Sequence, residues 1–154
     1  MRISLISAHE VNNEADDLLR DLRAWAASSS LSSRDWFDQD LAMAVDNASF
    51  NERIAVRVAL DEGIRRGLVI TRDSVRDGEP ATFVWWLAVD PDTRRRGIGR
   101  LLMKSVEQTS KCPLLEARVD HTDSTAVAFW TSMSWKSEQV GDGLVWVKRT
   151  EVAR

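Results

Sequence analysis

Residues 87–102 read "LAVDPDTRRRGIGRLL", and the order of residue types in this stretch decides the fold. An apolar run ends at Asp90-Pro91, three arginines lead into Gly97 and Gly99, and Ile98, Leu101, Leu102, Ser105 and Val106 then recur at helical spacing. A strand, a loop and a helix from Gly97 to Ser110 are expected in succession. Cationic side chains at a helix start oppose the macrodipole by about 0.3–1 kcal/mol each when exposed. An anionic guest removes the conflict: glycines allow close approach, first-turn amides point outward unpaired, and arginines add charge-assisted contacts. A diphosphate fits such a cradle. A dinucleotide fingerprint does not fit, because Leu102 stands where a third Gly or Ala is required. No Gly-Lys-Ser/Thr is present for a Walker loop.

The rest of the chain limits the alternatives. Its 154 residues are 44% hydrophobic and 29% charged, which suits one domain over residues 1–154 with a sizeable core. A formal net charge of −3 argues against a nucleic-acid-coating protein. Charge is unevenly placed. Residues 1–50 carry nine acids (Glu10, Glu14, Asp16, Asp17, Asp21, Asp35, Asp38, Asp40, Asp46) against Arg2, Arg20, Arg23 and Arg34. Residues 91–112 carry Arg94, Arg95, Arg96, Arg100, Lys104 and Lys111 against Asp92 and Glu107. An acidic rim that attracts a cationic substrate, beside a basic segment that holds an anion, is the functional reading; a solvated helix face is the plain one. Cys112 is the single cysteine, so a multi-cysteine metal site is excluded and a reducing, cytoplasmic setting is expected. The N-terminus lacks a signal-peptide pattern, and no window approaches the roughly 18–20 apolar residues of a membrane span.

Periodicity supplies the remaining elements. Residues 2–6 form a strand; Val11, Ala15, Leu18, Leu22 and Trp25 mark an amphipathic helix. Ser32 and Asp35 suggest a capping box before a second helix through Phe37, Leu41, Ala44 and Val45. Ile54, Val56, Val58 and Leu60 alternate with Ala55, Arg57 and Ala59, as in a strand with one buried face. Residues 67–72 return as its hairpin partner, and "ATFVWWLAV" at 81–89 reads as a central strand buried on both faces. Trp85 and Trp86, being adjacent, are expected on opposite faces. Residues 114–120 form a strand, 123–133 a helix, and a closing hairpin turns at Gly141-Asp142-Gly143. The order β-α-α-β-β-β-α-β-α-β-β implies a mixed α/β sheet with helices on its faces.

On these residues the chain resembles the GCN5-related N-acetyltransferases (GNAT). Arg94, Gly97 and Gly99 match the family's Arg/Gln-x-x-Gly-x-Gly/Ala motif in register, and "DSTAVAFWTSMSW" at 123–135 is similar to its Asn-x-x-Ala-x-x-Phe/Leu-Tyr-x-x-x-Gly-Phe segment at Ala126 and Phe129. The resemblance implies a mostly antiparallel sheet of six to seven strands flanked by about four helices, splayed in a V between the fourth and fifth strands. It implies acetyl-CoA as co-substrate, an amine acceptor, and a homodimer by family habit. The coenzyme would lie against Leu87, Ala88 and Val89, with Arg94, Arg95, Arg96, Gly97, Ile98, Gly99 and Arg100 at its pyrophosphate. Asp123, Ala126, Phe129 and Trp130 would complete its contacts.

Three of the departures from the family pattern matter here. Asp123 stands where Asn is common, Ser134 where Gly ends the helix, and Trp130 where the proton-donating Tyr belongs; the chain contains no tyrosine. An indole N–H donates a hydrogen bond but is no acid near neutral pH. Glu116, His121 and Ser124 are then the candidates for proton transfer. A coenzyme thiol is also acidic enough to leave unassisted. Two readings follow: an N-acetyltransferase acting by direct attack of a primary amine, or a catalytically silent acyl-CoA-binding module.

Overall fold

The computed structural model describes residues 1–27, 34–120, 122–141 and 143–149. The elements run β1 (Arg2–Ile6), α1 (Ala8–Ala26), α2 (Phe37–Ala48), β2 (Ile54–Asp61), β3 (Ile64–Arg76), β4 (Glu79–Val89), α3 (Ile98–Thr109), β5 (Leu114–Asp120), α4 (Ser124–Ser132), β6 (Lys136–Val140) and β7 (Gly143–Arg149). The seven strands form one sheet in the order β1-β2-β3-β4-β5-β7-β6, and every pairing is antiparallel except β4 with β5. This is the element order the periodicity predicts. None of the helices among the described residues is long and apolar enough to cross a membrane.

The core lies in two layers, one on each face of the sheet. On one face α1 and α2 bury Val11, Leu18, Leu22, Phe37, Leu41 and Val45 against Val56, Val58, Leu68 and Ile70. On the other, Ile98, Leu102, Met103 and Val106 of α3 and Trp130 of α4 pack on Ala59, Val69, Val84, Leu115, Ala117 and Trp146. Fully burying one such aliphatic or aromatic side chain contributes about 1.5–3 kcal/mol.

Several local expectations are corrected. β2 is buried on both faces through Val56, Arg57, Val58 and Ala59. The alternation misleads because Arg57 is itself inside: its Nη2 donates to Thr109 Oγ1 at 2.8 Å, and burial pushes its pKa below that of a free guanidinium. The capping box belongs to α1. Glu10 N donates to Ser7 Oγ and Ser7 N to Glu10 Oε1, both at 3.2 Å. Ser32 lies outside the described residues, and α2 begins after Trp36 with no side-chain cap. Asp142 of the closing turn also lies outside them.

The third correction concerns β4. Ile70 pairs with Trp86 and Thr71 with Val84, so Trp85 has no partner in β3 and forms a bulge. The extra residue shifts the pleat by one position. Trp85 and Trp86 therefore both pack against the α1/α2 layer instead of pointing to opposite faces.

Gly67 of β3 lets α3 sit close to the sheet. A Cβ there would lie 3.0 Å from Ile98 Cγ2, 3.2 Å from Leu102 Cδ1 and 3.3 Å from the Ala88 carbonyl oxygen. Gly67→Ala is expected to destabilise the fold by about 1–3 kcal/mol, the usual cost of overpacking. Urea unfolding of the variant against the parent measures it.

Candidate active site

The site is built where β4 and β5 part. Their parallel ladder runs from Ala81↔Leu114 to Val84↔Ala117 and then stops, although β4 continues to Val89 and β5 to Asp120. Beyond that point Leu87, Ala88 and Val89 pair only with Val69, Leu68 and Gly67 of β3. Their β5 side carries no ladder, which is the V expected between the fourth and fifth strands.

At the open end the chain turns into α3. Asp90 accepts from Asp92 N and from Arg66 Nη1, each at 3.0 Å, while Thr93 N donates to Asp90 O at 2.9 Å in a short turn over Pro91–Thr93. Arg95 (φ 69°) and Gly97 (φ 75°) are both left-handed. Helical bonding starts with Leu101 N to Gly97 O at 2.9 Å, so the amides of Ile98, Gly99 and Arg100 stand at the helix mouth. Arg94, Arg95, Arg96 and Gly97 are exposed there, and Ile98 is buried beneath them. Arg96 Nη1 lies 3.7 Å from Asp61 Oδ2, and Arg100 Nη2 donates to Ser132 Oγ at 3.1 Å. The arginines thus fan toward different neighbours.

The two motif glycines serve different physical needs. A Cβ on Gly97 would meet nothing within 4 Å, so glycine is favoured there by the left-handed φ alone. A Cβ on Gly99 would lie 3.1 Å from Phe129 Cε2 and 3.7 Å from Val89 Cγ2. Gly99 is a point of close approach between α3 and α4, and a bulky residue there disturbs the packing as well as the mouth.

α4 supplies a wall. Asp123 caps it, its Oδ1 accepting from Ala126 N at 3.1 Å; Ser124 is exposed at the first turn and Ala126 is half-buried. Trp130 is 5% exposed, edge-on to Phe129 at 5.0 Å and tilted over Trp135 at 4.7 Å between ring centroids. It is a core aromatic at the place where the family pattern has a tyrosine. Ser134 takes a left-handed φ of 63°, the conformation for which glycine is usual. His121 lies outside the described residues.

Glu116 lies below the fork. It sits opposite Phe83 on one side and Val147 on the other, within the paired part of β5. Only 5% exposed, its Oε2 accepts from Arg76 Nη1 at 3.2 Å, and Arg118 Nε is 3.9 Å from Oε1. Arg76 also holds Glu138. Glu116 is thus a buried member of an ion-pair network, not half of a surface pair, and its carboxylate is already engaged.

Two groups at the fork were not evident from sequence. Asp40 of α2 accepts with one oxygen, Oδ2, from both Trp86 Nε1 (2.9 Å) and Trp85 Nε1 (3.1 Å). The Arg72 guanidinium lies over the rings of Phe83 (4.8 Å) and Trp85 (4.9 Å). The bulge is what lets the adjacent Trp85 and Trp86 both reach Asp40, and a bulge leaves no mark in residue spacing.

The model of the acetyltransferase (GNAT) family matches residues 17–135. No curated protein matches the chain. Among solved structures, the PaiA N-acetyltransferase of Thermoplasma acidophilum in complex with coenzyme A superposes with a TM-score of 0.72 at 15% identity, covering 97% of this chain and 99% of its own. The ribosomal-protein-S18-alanine N-acetyltransferase of Escherichia coli gives 0.67 at 17% identity, with coverage of 99% and 96%. The aminoglycoside acetyltransferase meta-AAC0020, from an uncultured soil metagenomic sample and in complex with sisomicin, gives 0.67 at 22% identity, with coverage of 90% and 91%.

The glycines can be told apart by stability. Gly97→Ala, strained only by its φ, should cost about 1 kcal/mol. Gly99→Ala, whose φ is helical but whose Cβ would push on Phe129, should cost about 1–3 kcal/mol. Chemical denaturation of the pair should rank Gly99→Ala as the less stable; the reverse order would contradict the packing described.

Proposed function

Because this chain belongs to the acetyltransferase (GNAT) family, whose members are N-acetyltransferases that use acetyl-CoA, we propose that it transfers an acetyl group to a primary amine by direct attack in a ternary complex. The observation that carries this reading is the coincidence of two openings: the β4–β5 ladder ends at Val84↔Ala117, and the mouth of α3 stands at the end of the same strand.

The residues present fit the coenzyme. The space around Gly97 is open, the amides of Ile98, Gly99 and Arg100 are unclaimed by the helix, and Arg94, Arg95 and Arg96 are exposed beside them. These groups would hold a pyrophosphate through backbone donors, the helix dipole and charge-assisted contacts. The backbone of Leu87 to Val89 would hold the extended arm along the unpaired side of β4, and an amide near Val89 would face charge developing on the acyl oxygen. Acetyl-CoA supplies the activated acyl group. Phe129 and Trp130 would contribute packing, with Asp123 and Ala126 at the start of α4.

The acceptor nitrogen must be neutral when it attacks. Glu116, Ser124 and His121 remain the proposed proton-transfer residues, although the engagement of Glu116 by Arg76 weighs against it. Trp130 is no acid near neutral pH, so the coenzyme would leave as thiolate wherever none of these residues protonates it. Acids of α1 and α2 would draw the acceptor in as an ammonium ion. Trp130, packed between Phe129 and Trp135, also favours the second reading of a silent acyl-CoA-binding module.

Thermal denaturation with acetyl-CoA at about 100 times its Kd should show roughly 2.7 kcal/mol of stabilisation. Thiol release on an amine panel then separates the readings. Stabilisation with release supports the transferase, stabilisation alone supports the silent binder, and no stabilisation by any acyl-CoA removes both. Raising the salt concentration should lower kcat/KM for cationic amines more than for neutral ones.

A further inference from the structure

The face of the sheet covered by α1 and α2 carries, at the fork, a pair of opposite charges that the coenzyme contacts do not use. Asp40 is half-buried, and its Oδ2 takes two indole N–H donors. An ionised carboxylate accepts about four hydrogen bonds, and among the described residues no further donor or cation reaches Asp40. Arg72, over the ring of the same Trp85 indole, is a solvent-exposed cation with no carboxylate within ion-pair distance among the described residues. Glu116, the carboxylate opposite Phe83, is claimed by Arg76 and Arg118.

Stacking on Phe83 and Trp85 orders the Arg72 guanidinium without using its N–H donors, which lie in its own plane. The indole that both groups contact is doubly fixed, by its hydrogen bond to Asp40 and by its place in the bulge. Asp40 and Arg72 are thus joined through contact with one indole, which follows directly after the last β4 residue of the β4–β5 ladder.

Resting on the transferase reading above, we propose that Asp40 and Arg72 form a two-ended clamp that selects an acceptor bearing a carboxylate a few bonds from its amine, as an amino acid does. Asp40 takes the ammonium end, whose proton passes to solvent before the neutral amine enters the fork; Arg72 takes the carboxylate in the planar fork geometry that suits it. The acidic rim of α1 and α2 concentrates amines of every kind, and Arg72 discriminates among them. A polycation places no anion at Arg72 and is a poorer acceptor. The guanidinium already lies over the Phe83 and Trp85 rings that could attract its charge.

The test compares matched acceptors: each of the twenty amino acids, its α-carboxamide and the corresponding decarboxylated amine, with thiol release followed at saturating acetyl-CoA. For the preferred side chain the free amino acid should exceed both analogues by about tenfold or more in kcat/KM, through KM, as expected for loss of a charge-assisted contact. Arg72→Gln should collapse that ratio toward one, and Arg72→Lys should restore part of it. Asp40→Asn should lower kcat/KM for all three compounds. Equal or better turnover of the decarboxylated amines, or a ratio unchanged in a folded Arg72→Gln, overturns the clamp. If amines outside this set release thiol and none within it does, the clamp is overturned; if no amine of either set releases thiol, the transferase reading has failed. The clamp is then judged by calorimetric titration of the same compounds into acetyl-CoA-saturated protein and its Arg72→Gln variant. A carboxylate preference lost in the variant supports it, and none in the parent overturns it.

Discussion

The bulge at Trp85 is the constraint on which the site depends. β4 must stay hydrogen-bonded to β3 along its length yet leave β5 after four residue pairs. The inserted residue adds local twist where the two strands part. It also changes which side chains face which layer. Val84 belongs to the α3/α4 core, whereas Trp85 and Trp86 both pack with α1 and α2, where Asp40 ties their indoles together. α2, the bulge and the fork are thereby joined by hydrogen bonds in which a single carboxylate oxygen serves two donors.

Closeness on the opposite face is set by missing side chains. Gly67 admits Ile98 and Leu102 against the sheet, and Gly99 admits the ring of Phe129 between α3 and α4. Both contacts fix the height and tilt of α3, and so fix where its first-turn amides stand relative to Val89. Gly97 does something else: its left-handed φ turns the incoming loop so that the helix mouth faces outward. A motif of two glycines two positions apart thus combines a conformational need with a packing need.

The legible part of the site was the part made of backbone. A helix mouth follows from glycine placement and helical period, which are local, so Arg94 to Arg100 could be placed from residue order. The Asp40–Arg72 pair proposed for the acceptor was illegible because it is assembled from α2, β3 and β4, separated in the chain and joined only by folding. Asp40 reads as one acid among nine in the first 50 residues, and Arg72 as the end of a hairpin strand. Arg57 misled for a related reason. A charged residue in an alternating pattern signals an outward face unless a distant partner such as Thr109 receives it inside.

By itself the sequence determined the succession of elements, the amphipathic faces of α1 and α3, and the cationic glycine loop after β4. Each rests on period, turn chemistry or charge within a short window. Tertiary structure decided where β4 and β5 separate, which face Trp85 takes, that Trp130 is core, and that Glu116 is claimed by Arg76 while Asp40 joins two indoles. These depend on register and on contacts between residues tens of positions apart. Energies of that kind exist only once the two layers have closed on the sheet.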